Sequence, residues 1–178
     1  MIGVTVKLAQ SVSTIEFEAL PPSTVRKVKE ILLDSIGCAL GGYVTERAKI
    51  AIKLGEALGI KPEATVIGHK KLSYLAASFV NGELINCLDF DVVGPLLGHV
   101  VPMVIPPTLA IGEKIEASGK DFITALAIGI EVGNRVGGSL SGRSGGLRTN
   151  RLTMKKHLDP RIIQRSLVPL PVPASCSG

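Results

Sequence analysis

The chain has 178 residues, 46% hydrophobic and 20% charged, enough apolar side chain for one packed domain and too much for wholesale disorder. Aromatic residues make up 3%, with no Trp, so any core must be built from Leu, Ile, Val and Ala. The net charge of +5 is local: residues 143–178 hold seven basic side chains against Asp159, while the other 142 residues carry 13 basic and 14 acidic ones, a balance that leaves the body no footprint for nucleic acid.

Apolar spacing predicts helices almost throughout. Over Pro21–Leu40, Val25, Val28, Ile31, Leu32, Ile36, Ala39 and Leu40 recur every three or four residues, between a Pro21-Pro22-Ser23 start and a Gly41-Gly42 stop. A second helix is expected over Glu46–Leu58, with Ala51, Leu54 and Leu58 facing inward. Ala64–Gly68 reads as one short strand. Ser73 is placed as the N-cap of a third helix running through Leu88. After a proline-rich loop a fourth helix is expected over Pro107–Ala117, and a fifth from Gly119 to about Leu140. In the fifth, Ala125, Gly129, Gly133 and Gly137 form a stripe at which another helix backbone is expected to pack closely.

Beyond Gly142 the pattern stops. Ser141–Gly146 is rich in Ser and Gly, and Pro169, Pro171 and Pro173 interrupt the end. The expected division is a helical body over 1–142 and a basic tail over 143–178, extended and poorly packed, such as a shifted reading frame would produce. The fold class expected is all-α, antiparallel helices with one short strand and an irregular C-terminal tail.

Cys38, Cys87 and Cys176 show no paired spacing, which fits a reducing compartment, and a cytoplasmic location is expected. The first ten residues lack the basic and apolar regions of a secretory signal. Val92–Gly112 is 21 residues without a formal charge, but Pro95, Pro102, Pro106 and Pro107 would strand backbone carbonyls in lipid. It reads as a buried globular segment, so no membrane partner is expected.

That same stretch contains His99, an isolated polar group between apolar neighbours. Asp89, Asp91 and Asn86, at the end of the third helix, are its nearest candidate partners across a loop holding Gly94, Pro95 and Gly98. An acid beside a histidine that titrates near neutrality is the minimal equipment for proton transfer; the plainer reading is a core histidine near a helix-terminal acid. A metal site is disfavoured, because carboxylates two apart diverge on a helix and no HxxxH or CxxC motif is present. His69, beside Lys70 and Lys71, reads as a solvated turn residue, and His157 lies in the tail.

The order of segments resembles the opening of the MmgE/PrpD family. The resemblance rests on Leu32-Leu33-Asp34-Ser35-Ile36-Gly37-Cys38-Ala39-Leu40-Gly41-Gly42, Glu63-Ala64-Thr65-Val66-Ile67-Gly68, and Asn81-Gly82 followed by Leu88-Asp89-Phe90-Asp91. It continues with His99 ahead of Pro106, Ser118-Gly119-Lys120-Asp121, and Glu131-Val132 before Arg135, covering residues 15–142. Two positions depart from the family pattern: Val92 follows Asp91, and Val100 follows His99.

The resemblance implies a large helical domain, a smaller lid, and an active site between them. It also implies reactions that remove a proton beside a carboxylate: dehydration of 2-methylcitrate, decarboxylation of cis-aconitate or epimerisation of iminodisuccinate. No cofactor and no metal are implied. Asp89 and His99 match family active-site residues and are expected to be catalytic, with Asp91 and Asn86 expected to bind substrate. The partner implied is a di- or tricarboxylate; a second copy of the chain is expected separately, because the helical body without its cover would leave apolar faces exposed. Because family chains are more than twice as long, little turnover is expected of this one alone. The first reading is therefore part of a carbon–oxygen lyase of the 2-methylcitrate dehydratase type. The others are a non-catalytic helical interaction protein and a binding module acting through the basic tail.

Overall fold

The structure is a computed structural model describing residues 3–59, 61–94 and 98–140. Among them run six α-helices: α1 (Val4–Ser13), α2 (Pro22–Gly42), α3 (Glu46–Leu58), α4 (Tyr74–Asn86), α5 (Val101–Lys114) and α6 (Gly119–Leu140). A short 3-10 turn (Phe17–Ala19) precedes α2, and the two strands β1 (Ala64–Thr65) and β2 (Lys71–Leu72) form a hairpin between α3 and α4. The tail expected over 143–178, with His157, lies outside the described residues.

Local chemistry sets the helix ends. Pro22 opens α2 at a position where the missing N–H is not needed. The Thr45 hydroxyl caps α3 by accepting from the Ala48 N–H at 3.1 Å, and Ser73 caps α4 through Ala76 at 3.3 Å.

Helix α4 has apolar residues on every side rather than on one face, and it sits in the middle. It buries Ala76, Ala77, Val80, Leu84 and Ile85, and packs against α2, α3, α5 and the hairpin. Val28 and Ala39 from α2, Ile105 and Ala110 from α5, and Ile123 and Leu126 from α6 complete the core. Close approach needs small residues. A Cβ on Gly42 would overlap Cys87 Sγ and the Leu84 carbonyl, so glycine there lets α2 end against α4.

Four expectations change. Helix α3 buries Ala48, Ala51 and Gly55, leaving Leu54 and Leu58 exposed, because the small stripe brings it closer to α4. The single strand is half of a hairpin: Ala64 pairs with Leu72 and Thr65 with Lys71, the chain turning at Gly68 with φ +78°. The fourth helix begins at Val101, with Pro106 and Pro107 inside it. Those prolines free the carbonyls of Pro102 and Met103 from their usual donors, and Gly82 lets α4 come up to the first: a Cβ there would lie 3.0 Å from Pro102 O. Finally, the glycine stripe of α6 receives side chains, not a helix backbone. A Cβ on Gly129 would lie 2.6 Å from Val104 Cγ1, and one on Gly133 2.9 Å from Val100 Cγ1. No helix among the described residues is long and apolar enough to cross a membrane.

Candidate active site

The chain leaves α4 at Asn86 and turns sharply. Asp89 takes φ +58°, a left-handed conformation that Asp tolerates better than most side chains, and its N–H donates to the Asn86 carbonyl at 2.9 Å. This turn matters for the carboxylates. On a continuing helix Asp89 and Asp91 would diverge; with the helix ended, both face His99. The premise that disfavoured their convergence therefore fails at this bend.

His99 lies between them. Its Nδ1 is 2.9 Å from Asp91 Oδ2, and its Nε2 is 3.2 Å from Asp89 Oδ1. The surroundings are unequal: the Asp91 side chain is 0% exposed and that of Asp89 81%. Because a carboxylate only accepts, Nδ1–H donates to Asp91, while the approach of Nε2 to Asp89 is a charge contact that strengthens when Nε2 is protonated. The hydrogen bond to Asp91 and its charge hold the imidazole above the ordinary histidine value; burial opposes this, and Asp89 adds to the rise.

A second row of side chains fixes Asp91. Asn86 Nδ2 donates to Asp91 Oδ1 at 3.1 Å, and Arg47 Nη2 donates to Asn86 Oδ1 at 3.3 Å. Arg47 is itself held by Glu83 at 2.8 Å. The network thus runs Glu83, Arg47, Asn86, Asp91, His99, Asp89, each member orienting the next. Asp91 and Asn86, expected to contact substrate, are engaged within the protein here, behind the imidazole. Arg47 and Glu83 carried no signal in the sequence, since neither belongs to a motif and Arg47 lies 39 residues before Asn86.

The ligand atoms of Asp89, Asp91 and His99 lie within 4.8 Å of one another, close enough to gather round a cation. Nδ1 is already hydrogen-bonded to Asp91, so an ion would have to approach the ring through Nε2, on the Asp89 side. His69 is not the solvated turn residue expected. Its Nε2 meets Glu56 at 3.1 Å, and its Nδ1 lies 3.5 Å from the Tyr43 hydroxyl, tying the hairpin to α3.

Fold and geometry together define a helical domain carrying an acid–histidine cluster. The chain belongs to the MmgE/PrpD family: the sequence model of the MmgE/PrpD N-terminal domain matches residues 6–154. It is 29% identical over 151 residues to the cis-aconitate decarboxylase-like protein oryM of Aspergillus oryzae, covering 79% of this chain and 31% of that protein. It is 28% identical over 140 residues to the cis-aconitate decarboxylase of Homo sapiens, covering 75% and 29%. With that of Aspergillus terreus it shares 29% over 152 residues, covering 79% and 30%. The chain therefore spans under a third of the length of these relatives. No solved structure matches it.

Proposed function

We propose that the chain is part of a lyase acting on a tricarboxylate by proton transfer at a carbon beside a carboxylate, with His99 and Asp89 as the catalytic residues. The observation that carries this is the imidazole held between one buried and one exposed acid. Asp91 holds Nδ1–H, which leaves Nε2 as the working nitrogen and stabilises the positive charge that forms when it takes up a proton. Asp89 stands on the open side of the ring, where it can pass that proton on. Asp91 and Asn86 act through His99, keeping it in one orientation, and do not hold the substrate.

The motifs alone pointed first to dehydration of 2-methylcitrate. The relatives' names favour cis-aconitate, so decarboxylation of that substrate is the second reading. Both need a group near neutrality beside the substrate's carboxylates, and a raised imidazole supplies it.

An NMR titration of the 178-residue chain with cis-aconitate, and separately with 2-methylcitrate, tests the proposal. The His99 ring resonances should move at millimolar ligand while those of His69 stay in place, and the more strongly bound acid identifies the substrate. Saturating amounts of either acid leaving His99 unmoved, or moving both rings alike, would overturn it.

A further inference from the structure

His99 needs more than its acids, because the loop bearing it must hold the ring at one height. Both ends of that loop rest on consecutive residues of α6. On one side Val100, directly after His99, seats its side chain in the notch left by Gly133. On the other, Gly94 lies against the amide of Asn134, whose Oδ1 occupies the space a Cβ on Gly94 would need. That Oδ1 is buried and, among the described residues, has no hydrogen-bond donor. Gly94 and Gly98 are joined by backbone hydrogen bonds, Gly94 N–H to Gly98 O at 2.6 Å and Gly98 N–H to Gly94 O at 3.2 Å. The same Gly98 carbonyl also accepts from the Val100 N–H at 3.0 Å. Whatever fixes Gly94 therefore fixes Gly98, and with it the neighbouring His99.

We infer that Asn134 is a positioning residue: with Gly133 it forms a two-point seat on α6 that sets the His99 imidazole against Asp91. The inference goes deeper into the proton-transfer reading and rests on it for its functional meaning. The seat requires a residue without a side chain at 94 and a side chain of asparagine's size at 134. Among the described residues the imidazole's polar partners are Asp91 and Asp89, so the effect of Asn134 and Gly94 passes through the backbone pair at 94 and 98. A polar group buried without a partner is uncommon, and here it faces the backbone that carries the candidate active-site loop.

Size exchange tests this without any ligand. Gly94→Ala, Asn134→Ala and the double variant of the full chain are compared by the exchange lifetime of the His99 Nδ1 proton and the His99 titration midpoint. His69 serves as the internal control. Gly94→Ala should shorten the Nδ1–H lifetime at least tenfold and move the His99 midpoint towards an ordinary histidine. Adding Asn134→Ala should recover at least half of that loss, because the methyl then occupies the vacated space. A double variant no better than Gly94→Ala, or a Gly94→Ala chain with His99 unchanged, overturns the inference. Should Gly94→Ala not fold, the second contact gives the same test: Gly133→Ala against Gly133→Ala/Val100→Ala, with recovery expected only in the pair. As no carboxylate is added, failure here leaves the ligand titration standing, and failure there leaves the seat standing.

Discussion

Asn81 offers the sharpest test of how the hairpin is held. Its side chain is 1% exposed in the middle of α4, where an amide would be a poor choice unless both its ends were used. They are: Oδ1 accepts from the Ile67 N–H at 2.9 Å, and Nδ2 donates to the Thr65 carbonyl at 2.9 Å. Asn81→Leu keeps a similar volume and removes both bonds, stranding two backbone groups. A buried group left unpaired costs about 1–3 kcal/mol, so the loss should be about 3 kcal/mol if water satisfies the outer of the two. That is a large part of the roughly 5–15 kcal/mol by which a domain is stable. Equilibrium urea unfolding followed by circular dichroism reads it directly. Asn81→Asp adds a second check. A carboxyl buried there takes a pKa above its unfolded value of about 3.9, so its penalty relative to the parent chain should shrink as pH falls towards that value. Asn81→Leu within about 1 kcal/mol of the parent would refute the reasoning, showing that water replaces both bonds at no net cost.

Two further outcomes follow from the ion pairs. In Asp91→Asn the new amide must offer its oxygen to the His99 Nδ1–H, which turns its NH2 towards that of Asn86, while the Asn86 oxygen is held by Arg47. One bond must break, and the His99 midpoint should fall in an NMR titration; an unchanged midpoint would contradict the network. Since the folded imidazole lies above its unfolded value of about 6.5, its contribution to stability is complete below that pH and is lost as pH rises through the folded value. That pH dependence should flatten in Asp91→Asn.

Glu113 behaves oppositely. Burial pushes its carboxyl up, but hydrogen bonds from Lys71 and from the Thr65 N–H and hydroxyl outweigh this and hold it below the usual glutamate value. Its contribution is present above the unfolded value of about 4.3 and is lost as pH falls through the folded one. Urea midpoints measured between neutrality and pH 3 should therefore fall less steeply for Glu113→Gln than for the parent, and equal slopes would count against the assignment.

The sequence by itself determined α2, α3, α4 and α6, but not α1 or the start of α5. A helix start, an apolar period and a glycine stop are local features, which is why Pro22 and Ser73 could be placed before any packing was known. It also brought Asp89, Asp91, Asn86 and His99 into one short list, because the fourteen residues from Asn86 to His99 can fold back on themselves without help. What each of them touches was decided by tertiary structure. Asp91 became the buried partner and Asp89 the exposed one because the helix ended at Asn86 and the chain turned left-handed at Asp89. The second strand, with only two residues, has no period to read. The prolines of α5, read locally, forbid a helix; in the fold, Gly82 lets α4 come up to the carbonyl that Pro106 leaves free. Arg47 on α3 and Asn134 on α6 reach the site from helices distant in sequence, and no period in their own segments marks them; Gly133 stood in a periodic glycine stripe, but nothing in that stripe showed its link to the His99 loop. Periodicity tells each helix which face to bury; only the packed neighbour tells a side chain what it will meet there.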